Sequence, residues 1–453
     1  MPADVLFGPL LGTPEVQAAV SEQAWLQALL DFEAALARVQ AHAGLVPEEA
    51  AADIAAHCRA ELFDAAAIGH DAVAGASPVI PLVRALRAAV KAAAAPHVHR
   101  GATSQDALDT AMMLVARSAV DLVLGDLAAV EAACARLAAE HLRTLMAART
   151  LLQQASPTTF GLKAAGWLIA ACEAEDGLRW ARSRLAAQLG GAAGTMAAFG
   201  GGGPALAAAL AADLGLADPV LPWHTARARV AQLGAALAVV AGTMGKIALD
   251  VVLLAQTEVR EAAEPAMPGR GGSSALPHKR NPAGSVEALA SGRGAQAQAS
   301  LLLAAMVQEH ERAAGAWQAE WAALSECLRQ TAGAVARVRE VLSGLAVDSG
   351  RMRENLDLTR GLTQSESVAT RLGDRLGHGP AHDLVAAAAG RTAAGQGLRE
   401  VLLADPAVTA VLSPAEIDDA LDPAHYIGSA VELVERALAA HRARLREEMG
   451  DGG

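Results

Sequence analysis

The feature that most constrains the fold is a set of long proline-free stretches in which apolar residues keep a helical spacing. From Leu108 onward this spacing is 4-3-4-3, which is typical of one face of a helix in a bundle, and it is carried by Met112, Val115, Ala119 and Leu122. The stretch predicts a helix that reaches Ala147, about 40 residues and roughly 60 Å at about 1.5 Å per residue. A helix of that length needs neighbours to bury its apolar face.

Three further stretches have the same character, at about 222–261, 286–303 and 321–345. Hydrophobic residues make up 53% of the chain but aromatic residues only 3%, and the many alanines favour closely packed helices. We therefore predict an all-α fold, an elongated long-helix bundle flanked by two smaller helical domains. The predicted domains are 1–105 at the N-terminus, 106–349 for the central bundle with a distinctive loop at 265–282, and 350–453 at the C-terminus.

The formal net charge of −12 argues against nucleic acid as a partner, because phosphate binding needs a basic face. If the ligand is anionic, a local cationic pocket must overcome this repulsive field.

The four cysteines show no CxxC spacing and lie in apolar helical contexts, so we expect buried free thiols in a reducing compartment and no metal site. No basic and apolar leader follows Met1, and no run approaches 18 uninterrupted apolar residues. We expect no signal peptide, no membrane partner and a cytoplasmic location.

The loop at 271–282 has an unusual composition: two glycines, two serines and a Lys279-Arg280-Asn281 cluster between two prolines. Glycine permits positive φ angles and proline forces a corner, so the segment reads as a polar and cationic loop.

A second unusual stretch runs from His97 to Asp106. Thr103 and Asp106 have the spacing of a capping box, which predicts a helix start whose free N–H groups favour an anion. On the residues alone, Thr103 and Ser104 could equally serve only as caps.

Both stretches resemble motifs of the fumarase/aspartase superfamily. The loop matches Gly-Ser-Ser-x-Met-Pro-x-Lys-x-Asn-Pro, with Leu276 at the Met position, and residues 99–106 match His-x-Gly-x-Thr-Ser-x-Asp. Further similarity at 355–357, 381–385 and 422–428 extends the resemblance over essentially the whole chain. It implies an enzyme that makes or breaks a C–O or C–N bond beside a carboxylate of a small polycarboxylate, without cofactor or metal, in a homotetramer with shared active sites.

The resemblance also implies roles for individual residues. Ser273 and Lys279 would be catalytic, with proton transfer assigned to either, and a carboxylate would be bound by His99, Thr103, Ser104, Ser274, Asn281 and Arg312. Without the resemblance, Arg312 reads as a surface partner of Glu309 or Glu311. Asn281 then reads as a turn residue, and His278 as a solvated loop residue.

Leu151 follows Arg149-Thr150 at the position where the lyases of the superfamily carry a proton-transferring His. Leucine cannot move a proton. Because the cycloisomerase branch also lacks that His, generally carrying Trp there, Leu151 favours the cycloisomerase branch. The alternatives are a C–N lyase similar to adenylosuccinate lyase that releases fumarate, and a catalytically silent structural homologue.

The glycine-rich segments 190–195 and 200–203 lack the lysine and the preceding strand of a phosphate loop, and we interpret them as flexible connections.

Overall fold

The computed structural model describes residues 6–266, 271–272, 276, 278–392 and 395–450, and it is helical over most of these. The α-helices are α1 Gly8–Leu11, α2 Pro14–Ala19, α3 Glu22–His42, α4 Glu48–His57, α5 Ala65–Ala72, α6 Val79–Ala89, α7 Ser104–Glu140, α8 Phe160–Ser183, α9 Gly203–Leu214, α10 Ala228–Leu254, α11 Ala283–Ala304, α12 Ala316–Ser343, α13 Ser349–Asp357, α14 Ser365–Leu376, α15 His378–Thr392, α16 Leu398–Leu403, α17 Pro406–Thr409, α18 Pro414–Ala420 and α19 Ala430–Gly450. Short 3₁₀ helices lie at Ala60–Leu62, Val73–Gly75, Ala95–His97, Ala197–Gly202, Leu362–Gln364 and Pro423–His425.

The strands of the described residues are short: β1 Leu145–Thr150, β2 Gln153–Thr159, β3 Ala262–Ala263 and β4 Ala346–Val347. They form two antiparallel pairs, β1 with β2 and β3 with β4. The prediction of an all-α fold is confirmed.

Two predicted helix ends are wrong. The helix expected to reach Ala147 ends at Glu140, and Ala147 lies in β1 instead. The chain turns there because the carbonyl of His141 accepts the Gly161 N–H and that of Thr144 accepts the Phe160 N–H, so the next segment folds back. Likewise α10 ends at Leu254 rather than near Glu261. A short apolar run such as Leu145-Met146-Ala147 is compatible with either conformation, so its spacing did not reveal the strand.

The backbone packs into two compact units, each built from three segments. The first unit comprises Met1–Ala128, Glu173–Lys246 and Val286–Val338, and the second comprises Ala129–Cys172, Ile247–Ser285 and Arg339–Gly453. The long helices α7, α8, α10, α11 and α12 contribute residues to both. The division at residues 105 and 349 stays a prediction.

The core of the first unit forms around α3. Ser21 caps this helix by accepting the Ala24 N–H, and the buried face includes Leu29, Phe32 and Leu36. This spacing lets α3 pack on α4, α6, α9 and the start of α7 in one apolar cluster.

The second unit has its own apolar cluster between α14 and α18. A separate buried network ties α19 to α7: Arg444 donates to the Glu131 carboxylate at 3.0 Å, and His441 Nδ1 lies 3.5 Å from the other oxygen. Cys172 Sγ lies 3.7 Å from the same His441 nitrogen, and burial raises the pKa of this thiol to about 12.

Two segments, Ala197–Leu214 and α10, are long and apolar enough to cross a bilayer by length and composition. Helices in the core of a bundle satisfy the same criterion, so these segments are weak support for a membrane span.

Candidate active site

The start of α7 departs from a complete capping box. The Thr103 N–H donates to Asp106 Oδ2 at 2.9 Å, which is one half of the predicted box. The Thr103 hydroxyl instead accepts from Arg312 Nη1 at 2.8 Å. Ser104 begins the helix. This helix start therefore places the Thr103 hydroxyl beside a guanidinium.

Asp106 is fully buried and organises the surrounding backbone. Its carboxylate accepts the N–H groups of Gly190 and Gly191 at 2.8 and 2.9 Å, and His224 Nε2 donates to it at 2.8 Å. A Cβ at Gly190 would lie 2.7 Å from the His224 ring, so this close approach requires glycine. The segment at 190–195, interpreted above as a flexible connection, is thus held in place at its first two residues.

One turn further along α7, a buried ion triad supports the site. Arg227 is completely buried and donates to both oxygens of Asp109 at 2.8 and 3.0 Å. It also reaches Glu320 on α12 at 2.5 Å. Burial opposes the charge on Arg227, but the two carboxylates raise its pKa above the ordinary value. Burial raises the pKa of Glu320, and Arg227 offsets this only in part.

Arg312 lies on the connection between α11 and α12 and faces the helix start of α7. Besides Thr103, it contacts the Ala192 carbonyl at 3.1 Å through Nη2. It does not pair with Glu309, whose carboxylate accepts the Ala314 N–H instead. Two hydrogen bonds from one planar guanidinium fix the orientation of Arg312 beside Thr103.

His99 lies on the segment that precedes α7 and pairs with Glu33 of α3. The distance between its Nδ1 and Glu33 Oε1 is 2.6 Å, with the two side chains 12% and 1% exposed. Burial opposes the imidazolium, but the charge and hydrogen bond of Glu33 outweigh it, so the pKa of His99 is raised. The cation therefore persists to higher pH than in a solvated histidine.

The distinctive loop belongs to the second unit. Ser273 and Ser274 lie outside the described residues. Lys279 and His278 are exposed and Asn281 is partly buried. The Asn281 N–H donates to the Gly271 carbonyl at 2.8 Å, and Gly271 has φ +73° with the Asn281 oxygen 2.7 Å from its Cβ position. These contacts hold Gly271 and Asn281 together.

Glu264 fixes the loop at its base by capping α11. Its carboxylate accepts the N–H groups of Gly284 and Ser285 at 3.1 and 2.7 Å and the Ser285 hydroxyl at 2.6 Å. Three N-terminal donors of α11 are thereby satisfied by an anion, the favoured partner at that end.

Leu151 lies at the tip of the β1–β2 hairpin. Thr150 pairs with Gln153, so Leu151 and Leu152 form a two-residue turn, with φ values of +50° and +65°. These side chains are 97% and 73% exposed. Two residues before Leu151, Arg149 forms a bidentate pair with the buried Glu261 at 2.7 and 2.8 Å.

The structure therefore brings Thr103 and Arg312 into direct contact in the first unit. His99 lies on the same segment as Thr103, whereas Lys279 and Asn281 belong to the second unit. Sequence reasoning missed Glu33, His224 and Arg227. The carboxylate of Glu33 lies on the apolar face of α3, and this position could have predicted a buried ionic partner, because acids are rarely buried without one.

Comparison with known proteins identifies the family of the chain. A family model described as lyase matches residues 12–298, and a model described as the C-terminus of adenylosuccinate lyase matches residues 361–437. The 3-carboxy-cis,cis-muconate cycloisomerase of Bradyrhizobium diazoefficiens is 47% identical over 438 residues, 96% of this chain and 97% of that protein. The nitrosuccinate lyase of Streptomyces davaonensis is 48% identical over 445 residues, 96% of this chain and 94% of that protein.

A solved structure extends the comparison to the fold. The 3-carboxy-cis,cis-muconate lactonizing enzyme from Pseudomonas putida has a TM-score of 0.91 at 41% identity, covering 97% of this chain and 99% of that one. Because the lyase model matches more than half of the residues and these relatives are similar over nearly the whole length, the chain belongs to the lyase family of the fumarase/aspartase superfamily.

Proposed function

We propose that this enzyme is a 3-carboxy-cis,cis-muconate cycloisomerase, an intramolecular lyase that closes its substrate to a carboxymuconolactone. The observation that carries the proposal is full-length similarity to cycloisomerases. Leu151 supports it, because it stands where the other lyases need a proton-transferring His. We place the reaction in protocatechuate breakdown by the β-ketoadipate pathway.

The chemistry explains why such a site needs cations and N–H donors. One carboxylate of the substrate attacks a double bond, and the adjacent carbon accumulates charge as an aci-carboxylate dianion before it takes a proton. Preorganised donors around such a charge are usually the largest catalytic contribution. Proton transfer adds about 10²- to 10⁴-fold.

We assign charge-binding roles to six residues. Arg312, Thr103, Ser104 and His99 would hold one carboxylate, supported by the Arg312–Thr103 contact of 2.8 Å. Ser274 and Asn281 would contact a second carboxylate. Ser273 and Lys279 would carry the proton transfer, and the exposed ammonium of Lys279 is available to a ligand.

The partners and location follow from the same proposal. The ligand would be a small polycarboxylate, and the active protein a homotetramer with shared sites. Exposed apolar side chains on α10, α11 and the segment after α11 support self-association, namely Val239, Leu301, Leu303 and Val307. All four cysteines are buried free thiols, which suits the reducing cytoplasm.

A second candidate is elimination of nitrite from nitrosuccinate to give fumarate. It is favoured by the 48% identity to a nitrosuccinate lyase. It is also a C–N lyase reaction, the alternative that the sequence left open, and it likewise needs a carboxylate clamp and a base.

One comparative assay separates the two. The purified protein is incubated with 3-carboxy-cis,cis-muconate, with nitrosuccinate and with adenylosuccinate. Loss of diene absorbance and appearance of fumarate are followed in parallel. We expect consumption of the muconate and no fumarate. If fumarate appears and the muconate is untouched, the cycloisomerase proposal is wrong.

A further inference from the structure

Glu33 and His99 form a buried carboxylate–imidazole pair beside the start of α7. Glu33 lies in the middle of α3 with only 2% of its surface exposed, and its Oε1 is 2.6 Å from His99 Nδ1. Such a short contact to an acceptor-only group fixes the proton on Nδ1. Nε2 is then the ring nitrogen left for a ligand, and it has no partner among the described residues.

The backbone at His99 is held in a strained conformation from both sides. His99 has φ +59°, in the left-handed region that non-glycine residues rarely adopt. The preceding carbonyl, of Val98, accepts from Arg87 at 3.1 Å, and the following carbonyl, of Arg100, accepts from Gln40 at 2.8 Å. Strain of this kind persists where neighbouring contacts enforce it, and it concentrates at functional sites.

The charges around the ring favour the imidazolium. The second oxygen of Glu33 is buried without a hydrogen-bond partner among the described residues, so this carboxylate depends on His99 for compensation. Burial opposes the cation and Arg87 adds to that opposition, whereas Glu33 and Asp106 favour it, with a raised pKa as the net result.

We propose that Glu33 is the positioning residue that keeps His99 protonated and aims its Nε2–H at a carboxylate of the substrate. This inference rests on the proposed function, because it assigns His99 to the same carboxylate as Arg312. The sign of the pH effect follows: the cation is present at low pH and is lost as the pH rises through the raised pKa of His99. Substrate binding should weaken over that range.

The test compares Glu33→Gln with Gln40→Leu. Glu33→Gln keeps the size and an acceptor for Nδ1–H but removes the charge, whereas Gln40→Leu removes another tie from α3 to the same segment without changing charge. The pH titration of His99 is followed by NMR, with its signal identified by its loss in His99→Asn. The KM for 3-carboxy-cis,cis-muconate is measured across the same pH range.

In Glu33→Gln we expect the His99 midpoint to fall and KM at neutral pH to rise about tenfold or more, the usual effect of losing a charged hydrogen bond. Low pH should restore KM, and kcat should change little. Gln40→Leu should lower stability without moving the midpoint. An unchanged midpoint in Glu33→Gln, or equal KM shifts in both variants at every pH, would overturn the proposal.

Failure of the proposed function looks different. If the wild-type protein does not consume the muconate, the His99 midpoint still reports on Glu33, and the same KM profile is measured with nitrosuccinate, which also carries carboxylates.

Discussion

Asp106 and Asp109 lie one helical turn apart at the start of α7 and perform different tasks. Asp106 gathers backbone donors and His224, while Asp109 receives both terminal nitrogens of Arg227. Residues three apart on a helix share a face, so one turn of α7 presents both carboxylates to the same interior. One turn of α7 thus holds both the backbone at Gly190 and Gly191 and the guanidinium of Arg227.

Replacing Arg227 by methionine should lower the free energy of unfolding by about 3–5 kcal/mol, because Asp109 and Glu320 would remain as uncompensated buried charges. Denaturant titration measures the change. Arg229→Met is the matched control: Arg229 also lies over the Trp223 ring, at 4.9 Å, but it donates to the Arg184 carbonyl at 2.9 Å rather than to a buried carboxylate. Equal losses in the two variants would contradict the role given to the triad.

At the same scale, Lys279→Met should reduce kcat about 10²- to 10⁴-fold, the range for loss of a proton-transfer group. Stability should not change, since Lys279 is exposed. Arg280→Met, one residue along the same exposed segment, controls for a general effect of charge removal. Full turnover in Lys279→Met would remove this residue from the mechanism and leave Ser273 as the candidate.

Among the elements, the β1–β2 hairpin combines an unfavourable two-residue turn with a firm anchor close to it. Arg149, two residues before Leu151, pairs with Glu261, and Asn355 donates to the same carboxylate at 2.7 Å. At the tip, Leu151 and Leu152 both have positive φ angles, which hairpin turns normally assign to Asn-Gly. Two exposed leucines in this conformation make the turn less stable than Asn-Gly would be.

Exchanging Leu151-Leu152 for Asn-Gly should raise the free energy of unfolding by about 1–2 kcal/mol, because the left-handed conformation is less costly for these residues. We expect kcat to fall at the same time, as in other cases where stability and activity compete. Unfolding is measured at fixed protein concentration alongside turnover. A loss of stability would show that the leucine turn is not strained.

At the scale of the whole molecule, the proposed homotetramer has active sites to which several subunits contribute. Arg312 and Lys279 would then reach one site from different copies.

Hybrid oligomers test this assembly. Arg312→Met and Lys279→Met should each be nearly inactive, but co-expression should restore part of the activity, because some sites would then receive both native residues. Each variant co-expressed with a tagged copy of itself is the control. If hybrids stay as inactive as their parents, both residues of a site come from one subunit.

Much of this organisation was predictable from the sequence, for identifiable reasons. Long apolar spacing predicted α7 and α10 because helices of that length depend on a continuous buried face. The hairpin was not predicted because its strands are short and show no alternation of apolar and polar side chains. The Asp106–His224 and Glu33–His99 pairs were not predicted because their members are 118 and 66 residues apart in the sequence. Local sequence patterns do not show which residues so far apart in the chain come into contact.

The buried carboxylate of Asp106 has a further consequence for altering this enzyme. This carboxylate already accepts hydrogen bonds from four groups, on Thr103, Gly190, Gly191 and His224. It is therefore fully hydrogen-bonded before any ligand binds. Directed evolution toward other carboxylic acid substrates should therefore leave Asp106 and its donors unchanged. Substitutions that alter substrate selectivity should accumulate around Arg312 instead.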